Sequence, residues 1–243
     1  MKNGVIDIAF TIPAFFQGSF PGALAFNLAK KGPTAQRKDG FYDYVNARLA
    51  KTLNARMLLN SSYNVKFHIY MGKKRLEKAD LTGLKMRSLP IYRPMFEHLG
   101  ATAITMNQSE MFTALERGAV DGYGYIAWGV KEQGWAPVTK YRIDPGFYTV
   151  SSVYIINTRS WGKLSKEAQD CLNRTAIAAE QAHQKLIVTR NPEEYKKQAD
   201  AGIETIVLPP AEAKKLLEVA ETIGWADVKK KAPKDYEALR KLL

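Results

Sequence analysis

The chain has little of what most catalytic and metal-binding proteins depend on. It has one cysteine, Cys171, and three histidines, His68, His98 and His183, in 243 residues. A single cysteine excludes an intrachain disulfide, and with no evident base it gives no support to nucleophilic catalysis. The histidines lack the close spacing of a zinc site, and neither HExxH nor CxxC occurs, so the sequence points to no metal ion. A GxSxG elbow is missing as well, and no catalytic residue is expected. Acidic side chains are in deficit. The 24 Asp and Glu stand against 36 Lys and Arg, a formal net charge of +12, with half of the excess in the first 70 residues. That balance favours anionic partners in general without naming the anion. No block of five or six like charges occurs, and Lys229, Lys230 and Lys231 read as the solvated face of a surface helix, so a nucleic-acid partner is not expected. No apolar run approaches the roughly 18 residues of a membrane span. The opening MKNGVIDIAF is interrupted by Asp7 and lacks a following small-residue cleavage site, so it does not read as a signal peptide.

What is present alternates between two periods. Val5 to Ile12 is β-branched and alternating and predicts a buried strand; Ala55 to Leu59, Val65 to Tyr70, Leu84 to Ser88, Ala103 to Met106, Ala119 to Asp121, Val150 to Asn157 and Gly202 to Val207 read as further strands. Helices are expected at Ala23 to Lys31, at Gly40 to Leu53, and at Pro94 to Leu99. Asn107 to Gly118 is the best-marked helix: Asn107 caps it, Glu110 completes a capping box, Gly118 supplies the stop, and Met111, Ala114 and Leu115 form the apolar stripe. Ser165 to about Gln198 predicts an unusually long helix, with Asn191 and Pro192 marking a kink or restart, and Cys171 is expected to be a small buried residue on it. Pro209 to Ile223, closed by Gly224, and Asp235 to Leu243 complete the helices. Strands and helices alternate throughout, which predicts an α/β fold with at least partly parallel sheets.

Three features carry possible chemistry. Gly122, Gly124 and Ala127 match GxGxxA, the turn in which glycines let backbone approach a pyrophosphate, and an NAD-dependent enzyme is one reading of it. Against it, the preceding strand is short, aromatics crowd the segment, and no helical continuation follows. Arg87, in LKMRS at a strand end, reads as a buried guanidinium, which is costly unless it meets a carboxylate or phosphate. Tyr123, Tyr125, Trp128, Trp135, Tyr141, Phe147 and Tyr148 crowd into one stretch, and aromatics this dense either fill a core or line a ligand cleft.

The motifs DLTGLKMR at 80–87, LGATAITM at 99–106 and SEMFTALERGAVDG at 109–122 together resemble the central region of the DctP-like periplasmic solute-binding proteins of TRAP transporters. The opening NGVIDIAFTIPAFFQGSFP resembles the strand and ligand loop of that family, which puts Thr11 and Phe15 among the ligand-binding residues, and SSVYIINTRSWGKLSKEAQDCL resembles the approach to its long interdomain helix. The resemblance implies a two-lobed α/β protein with two mixed sheets and a ligand cleft between the lobes. It places residues 1–64 and about 150–185 in lobe I, and 65–149 and about 186–243 in lobe II, with the helix 165–198 crossing between them. Family members carry a signal peptide and a first strand, helix and strand ahead of the segment matching NGVIDIAF, so the resemblance implies an N-terminally truncated chain, or a fragment that binds nothing. It further implies a periplasmic binding protein, not an enzyme, with no cofactor, which delivers a small organic acid to TRAP membrane subunits. Arg87 matches the carboxylate clamp of the family, and Lys66 falls near its second arginine. Tyr125 stands where many members have a ligand-contacting asparagine, Gln108 replaces an aromatic, and Gly124 replaces the glutamate of metal-recruiting members, which implies no metal. Tyr123, Tyr125, Trp128 and Phe147 would then wall a site for a monocarboxylate with an aromatic or otherwise flat apolar body.

Overall fold

The computed structural model describes residues 1–243. In chain order its elements are β1 (Ile8–Thr11), α1 (Pro33–Lys38), α2 (Phe41–Leu53), β2 (Ala55–Ser61), β3 (Phe67–Met71), β4 (Lys85–Arg87), α3 (Arg93–His98), β5 (Thr102–Ile104), α4 (Met111–Glu116), β6 (Gly122–Ile126), β7 (Tyr141–Asp144), β8 (Ser152–Asn157), α5 (Thr158–Gly162), α6 (Lys166–Asp200), β9 (Glu204–Val207), α7 (Pro210–Lys231) and α8 (Pro233–Leu242). They divide into two compact units, one of Met1–Asn64, Thr149–Ile187 and Val228–Leu243, the other of Val65–Tyr148 and Val188–Asp227. No helix is long and apolar enough to cross a membrane.

The first unit is built on an antiparallel sheet of order β1-β8-β2. Helix α2 covers it because Phe41, Val45 and Leu49 recur every fourth residue and are fully buried, each contributing about 1.5–3 kcal/mol. Left-handed residues at both ends, Gly40 (φ 87°) and Asn54 (φ 51°), set its limits. Strand β1 corrects the expectation of a buried strand over Val5 to Ile12. It is the edge of its sheet, and Val5, Ile6, Ile8 and Phe10 are exposed. The helix expected at Ala23 to Lys31 is instead a 3-10 segment, Pro21–Leu28. Residues 228–243 belong to this unit and not to the second as expected, for α8 is tied here: the backbone N–H groups of Lys30 and Lys31 donate to the Leu243 carbonyl, and Tyr44 donates to Asp235 at 2.6 Å.

The second unit holds a six-stranded mixed sheet, β5-β4-β6-β3-β7-β9, parallel at β4/β5, β4/β6 and β7/β9 and antiparallel on both sides of β3. Strand β6 contains the sequence GYGYI, and its alternation explains it. Tyr123 and Tyr125 face Trp135 at 5.3 and 4.8 Å, and Tyr123 stacks on Tyr70 at 5.1 Å. The glycines face the other way, where a Cβ on Gly122 would strike Met71 Sδ at 2.6 Å and one on Gly124 would strike the Tyr92 ring at 2.6 Å. The strand expected at Ala119 to Asp121 therefore lies three residues later. Strand β7 escaped sequence reading because its polar positions do not face water: Arg142 donates to Gln198 at 3.1 Å and pairs with Asp144, which also meets His68 Nδ1 at 2.9 Å. The capping box at Asn107 and Glu110 forms as expected, opening on a 3-10 turn before α4, and Gly118 (φ 70°) ends it.

Helix α6 runs 35 residues and continues through Pro192 without a restart. Cys171 is exposed on it, contrary to expectation; the positions that α6 buries in the first unit include Ala176 and Glu180. Helix α7 likewise runs past Gly224, because Leu216, Ala220 and Trp225 continue a buried stripe whose packing exceeds the roughly 1 kcal/mol cost of a helical glycine.

Each unit contains a buried ionic cluster. In the first, Glu180 accepts from Arg37 Nε (2.6 Å), from the Tyr42 hydroxyl and from the Asn60 backbone N–H (2.8 Å). Removing the carboxylate takes the acceptor from Arg37 Nε and from the Tyr42 hydroxyl and leaves the Asn60 N–H only the Tyr42 oxygen at 2.9 Å, so Glu180→Ala is expected to cost about 3 kcal/mol, read as a fall of roughly 10 °C in melting temperature; an unchanged melt would contradict the assigned role. In the second, burial by itself would raise the Asp144 carboxyl, but hydrogen bonds and charge from His68 and Arg142 hold it below the ordinary carboxylate value. A carboxyl depressed in the folded state contributes stability that is present above its unfolded pKa of about 3.9 and is lost as pH falls through the folded value. Melting temperature should therefore decline in that acidic window, and Asp144→Asn should flatten the decline; identical acid profiles would show that the pair does not couple to folding.

Candidate ligand-binding site

Arg87 closes β4 in the middle of the second unit's sheet, in register with Tyr123 of β6 and Ile104 of β5. The next turn, Leu89 to Tyr92, is set by the Tyr92 N–H donating to the Leu89 carbonyl at 3.2 Å, and α3 begins directly beyond it with Arg93 and Pro94. This geometry brings the Tyr92 side chain back over β6, into the space left by the missing Cβ of Gly124. The Tyr92 ring is fully buried among Phe67 (5.6 Å), Phe96 (5.1 Å) and Phe147 (5.7 Å). Its hydroxyl donates to the Gly124 carbonyl at 2.6 Å. Burial raises the Tyr92 phenol well above its ordinary value, against the opposing charge of Arg87, so the proton stays on that bond.

Arg87 is 2% exposed and has no carboxylate partner. Both of its hydrogen bonds leave from Nη1 and both are long, 3.4 Å to the Tyr92 oxygen and 3.5 Å to the Gly124 carbonyl. Nε is buried with no partner at all, as is the Ser88 hydroxyl beside it in sequence. An ionised guanidinium withdrawn from water is unstable by several kcal/mol unless an anion meets it. The protein supplies neutral acceptors to Nη1 and none to Nε; in a guanidinium the Nε and Nη2 N–H groups point the same way and match the two oxygens of a carboxylate.

The other residues expected at the site differ in their settings. Tyr125 is 9% exposed, and its hydroxyl accepts from Gln108 Nε2 at 3.4 Å, so these two are brought together; Phe147 packs on Tyr92, one contact removed from Arg87. Lys66 sits just before β3, half-buried, with its carbonyl accepting from the Ala127 N–H, and burial lowers its pKa. Trp128 is half-buried and donates from Nε1 to Asn191 at 2.7 Å. Tyr123 is a correction: it is fully buried, stacked on Tyr70 with its hydroxyl 2.9 Å from Thr139, and belongs to the core instead of a ligand wall. Thr11, half-buried at the end of β1, and Phe15, exposed after it, belong to the first unit. Tyr92 and Gly124 as a pair were missed; the signal was available in the alternation of glycine and tyrosine, which requires large rings on the opposite strand face.

The GxGxxA reading is overturned. Gly122 and Gly124 lie inside a strand with partners on both sides, and their missing Cβ atoms make room for Met71 and Tyr92, so no backbone turn is open to a pyrophosphate. No group of three His, Cys, Asp or Glu side chains is placed to hold a metal ion.

Residues 1–230 match the family model of the bacterial extracellular solute-binding proteins, family 7 (DctP), and the chain belongs to that family. It is 29% identical over 113 residues to a solute-binding protein of Roseobacter denitrificans, an alignment covering 45% of this chain and 34% of the relative, so it spans about a third of that relative's length. The structure resembles a TRAP periplasmic solute-binding protein from Desulfovibrio salexigens with bound orotic acid, with a TM-score of 0.85 at 19% identity, over 99% of this chain and 79% of that one. It also resembles an extracytoplasmic solute receptor of Bordetella pertussis binding pyroglutamic acid, with a TM-score of 0.81 at 21% identity, over 99% and 81% of the two chains. The two-unit α/β fold is thus that of TRAP solute-binding proteins.

Proposed function

We propose that the protein is the extracytoplasmic solute-binding component of a TRAP transporter, acting in the periplasm, and that it captures a small organic acid through Arg87 and hands it to membrane subunits. The carrying observation is the buried guanidinium whose Nε has no partner. A carboxylate on the Nε and Nη2 edge supplies the missing charge and two parallel charge-assisted hydrogen bonds. Lys66, half-buried and without an ion pair, adds a second positive charge of less defined geometry. Tyr125 and Phe147 place aromatic surface in the same unit, which favours a monocarboxylate with a flat body. Orotic and pyroglutamic acids, the ligands of two structural relatives, are both rings bearing one carboxylate. The role asked of these residues is capture, and no bond is made or broken.

The test is calorimetric titration with orotate and pyroglutamate, together with native mass spectrometry of protein purified without refolding to identify any acid it carries. Arg87→Ala should weaken the acid by about 2–5 kcal/mol, since an anion buried without its partner loses both attraction and solvation. Arg87→Lys should recover part of that, because an ammonium keeps the charge but loses the two-point fit. Unchanged affinity in the Ala variant would remove Arg87 from the site.

A further inference from the structure

We infer that Tyr92 is the positioning residue of the anion site, and that the Tyr92–Gly124 pair determines which edge of Arg87 the ligand meets. The inference rests on the reading of Arg87 as a carboxylate clamp and adds to it the reason the clamp is aimed. A free arginine offers a carboxylate two bidentate approaches, end-on across Nη1 and Nη2 or side-on across Nε and Nη2. Here Nη1 faces two oxygens, those of Tyr92 and Gly124, which removes the end-on approach. The Tyr92 hydroxyl has committed its one proton to the Gly124 carbonyl, so it presents only lone pairs to Arg87 and cannot itself donate to the ligand. Both acceptors are neutral. They orient the guanidinium without cancelling its charge, which a carboxylate in the same place would do.

The ring of Tyr92 is held as firmly as its hydroxyl. Phe67, Phe96 and Phe147 surround it, and the fourth side is the bare Cα of Gly124, where an added Cβ would come within 2.6 to 3.0 Å of three Tyr92 atoms, the hydroxyl oxygen among them. Gly124 therefore acts twice, as the acceptor of the tyrosine proton and as the gap that seats the ring. Side-on presentation selects a planar anion with two oxygens at one end. It disfavours the amide of the same acid, whose NH2 group would be driven against an N–H of the guanidinium.

Two variants and two readouts test this. The ligand-free protein reports first: in 15N NMR spectra the Arg87 Nε–H should give one slowly exchanging resonance. Tyr92→Phe should shift it and speed its exchange at least tenfold while the fold is kept, as judged by the remaining amide spectrum. Gly124→Ala, which displaces the tyrosine by a different route, should change the same resonance in the same direction. The second readout is the affinity of orotate relative to orotamide, for which Tyr92→Phe should reduce the preference for the acid at least fivefold. An Arg87 resonance identical in wild type and both variants would overturn the positioning role while leaving the clamp intact. A resonance that responds as expected in a protein that binds neither orotate, pyroglutamate nor any co-purified acid would keep the positioning role and overturn the clamp. A melting temperature lowered with the Arg87 resonance unchanged would reduce Tyr92 to a packing residue and overturn the inference.

Discussion

A guanidinium buried with no carboxylate in reach is the constraint on which the second unit is arranged. Its cost in a low-dielectric interior exceeds what two long hydrogen bonds to neutral oxygens return. Around this charge stand the strand that carries Arg87, the turn that returns Tyr92 over β6, and the glycine in β6 that accepts both the ring and its proton, and none of them neutralises it. Contrast Arg142, three strands away in the same sheet, which is just as buried but is paired with Asp144 and bonded to Gln198. One arginine has its charge balanced within the protein and is structural. The other has no balancing charge within the protein.

The same distinction separates the aromatic residues. Tyr70, Tyr123 and Trp135 are fully or almost fully buried and belong to a core cluster with Met111, Leu115 and Val120 on one side of the sheet. Tyr92 and Phe147 pack with Phe67 and Phe96 beside Arg87. Tyr125 belongs to the first cluster through Trp135, yet its hydroxyl meets Gln108, so it is a core residue with a polar end. Aromatic density in the sequence thus reflects two packing tasks, and the unbalanced charge lies between them, bonded to Tyr92 of the second cluster and acting electrostatically on Tyr125 of the first.

Much of this architecture is legible in the sequence where local rules and tertiary packing agree. The Asn107 and Glu110 capping box, the Phe41 to Leu49 stripe of α2 and the buried Arg87 all follow from residue type and spacing, and the motifs at 80–87, 99–106 and 109–122 carry the family. The failures lie where tertiary contacts overrule a local signal. Two glycines that match a turn motif form the inside of a strand, because Met71 and Tyr92 fill the space of their missing Cβ atoms. A strand with Arg and Asp at alternate positions hides its polar face against His68 and Gln198. A glycine read as a helix stop is overridden by the stripe that continues to Trp225. The placement of α8 in the first unit depends on the Leu243 carbonyl and on Asp235, contacts with residues some two hundred positions earlier that no local pattern announces.

A crystal structure of the protein with orotate, pyroglutamate or any co-purified acid bound tests the central claim most directly. The account predicts a carboxylate in the plane of the Arg87 guanidinium, its two oxygens about 2.8 Å from Nε and Nη2, with Nη1 still turned to Tyr92 and Gly124. A solute whose acidic group lies elsewhere, with Nε facing only ordered water or a protein carboxylate, would contradict it.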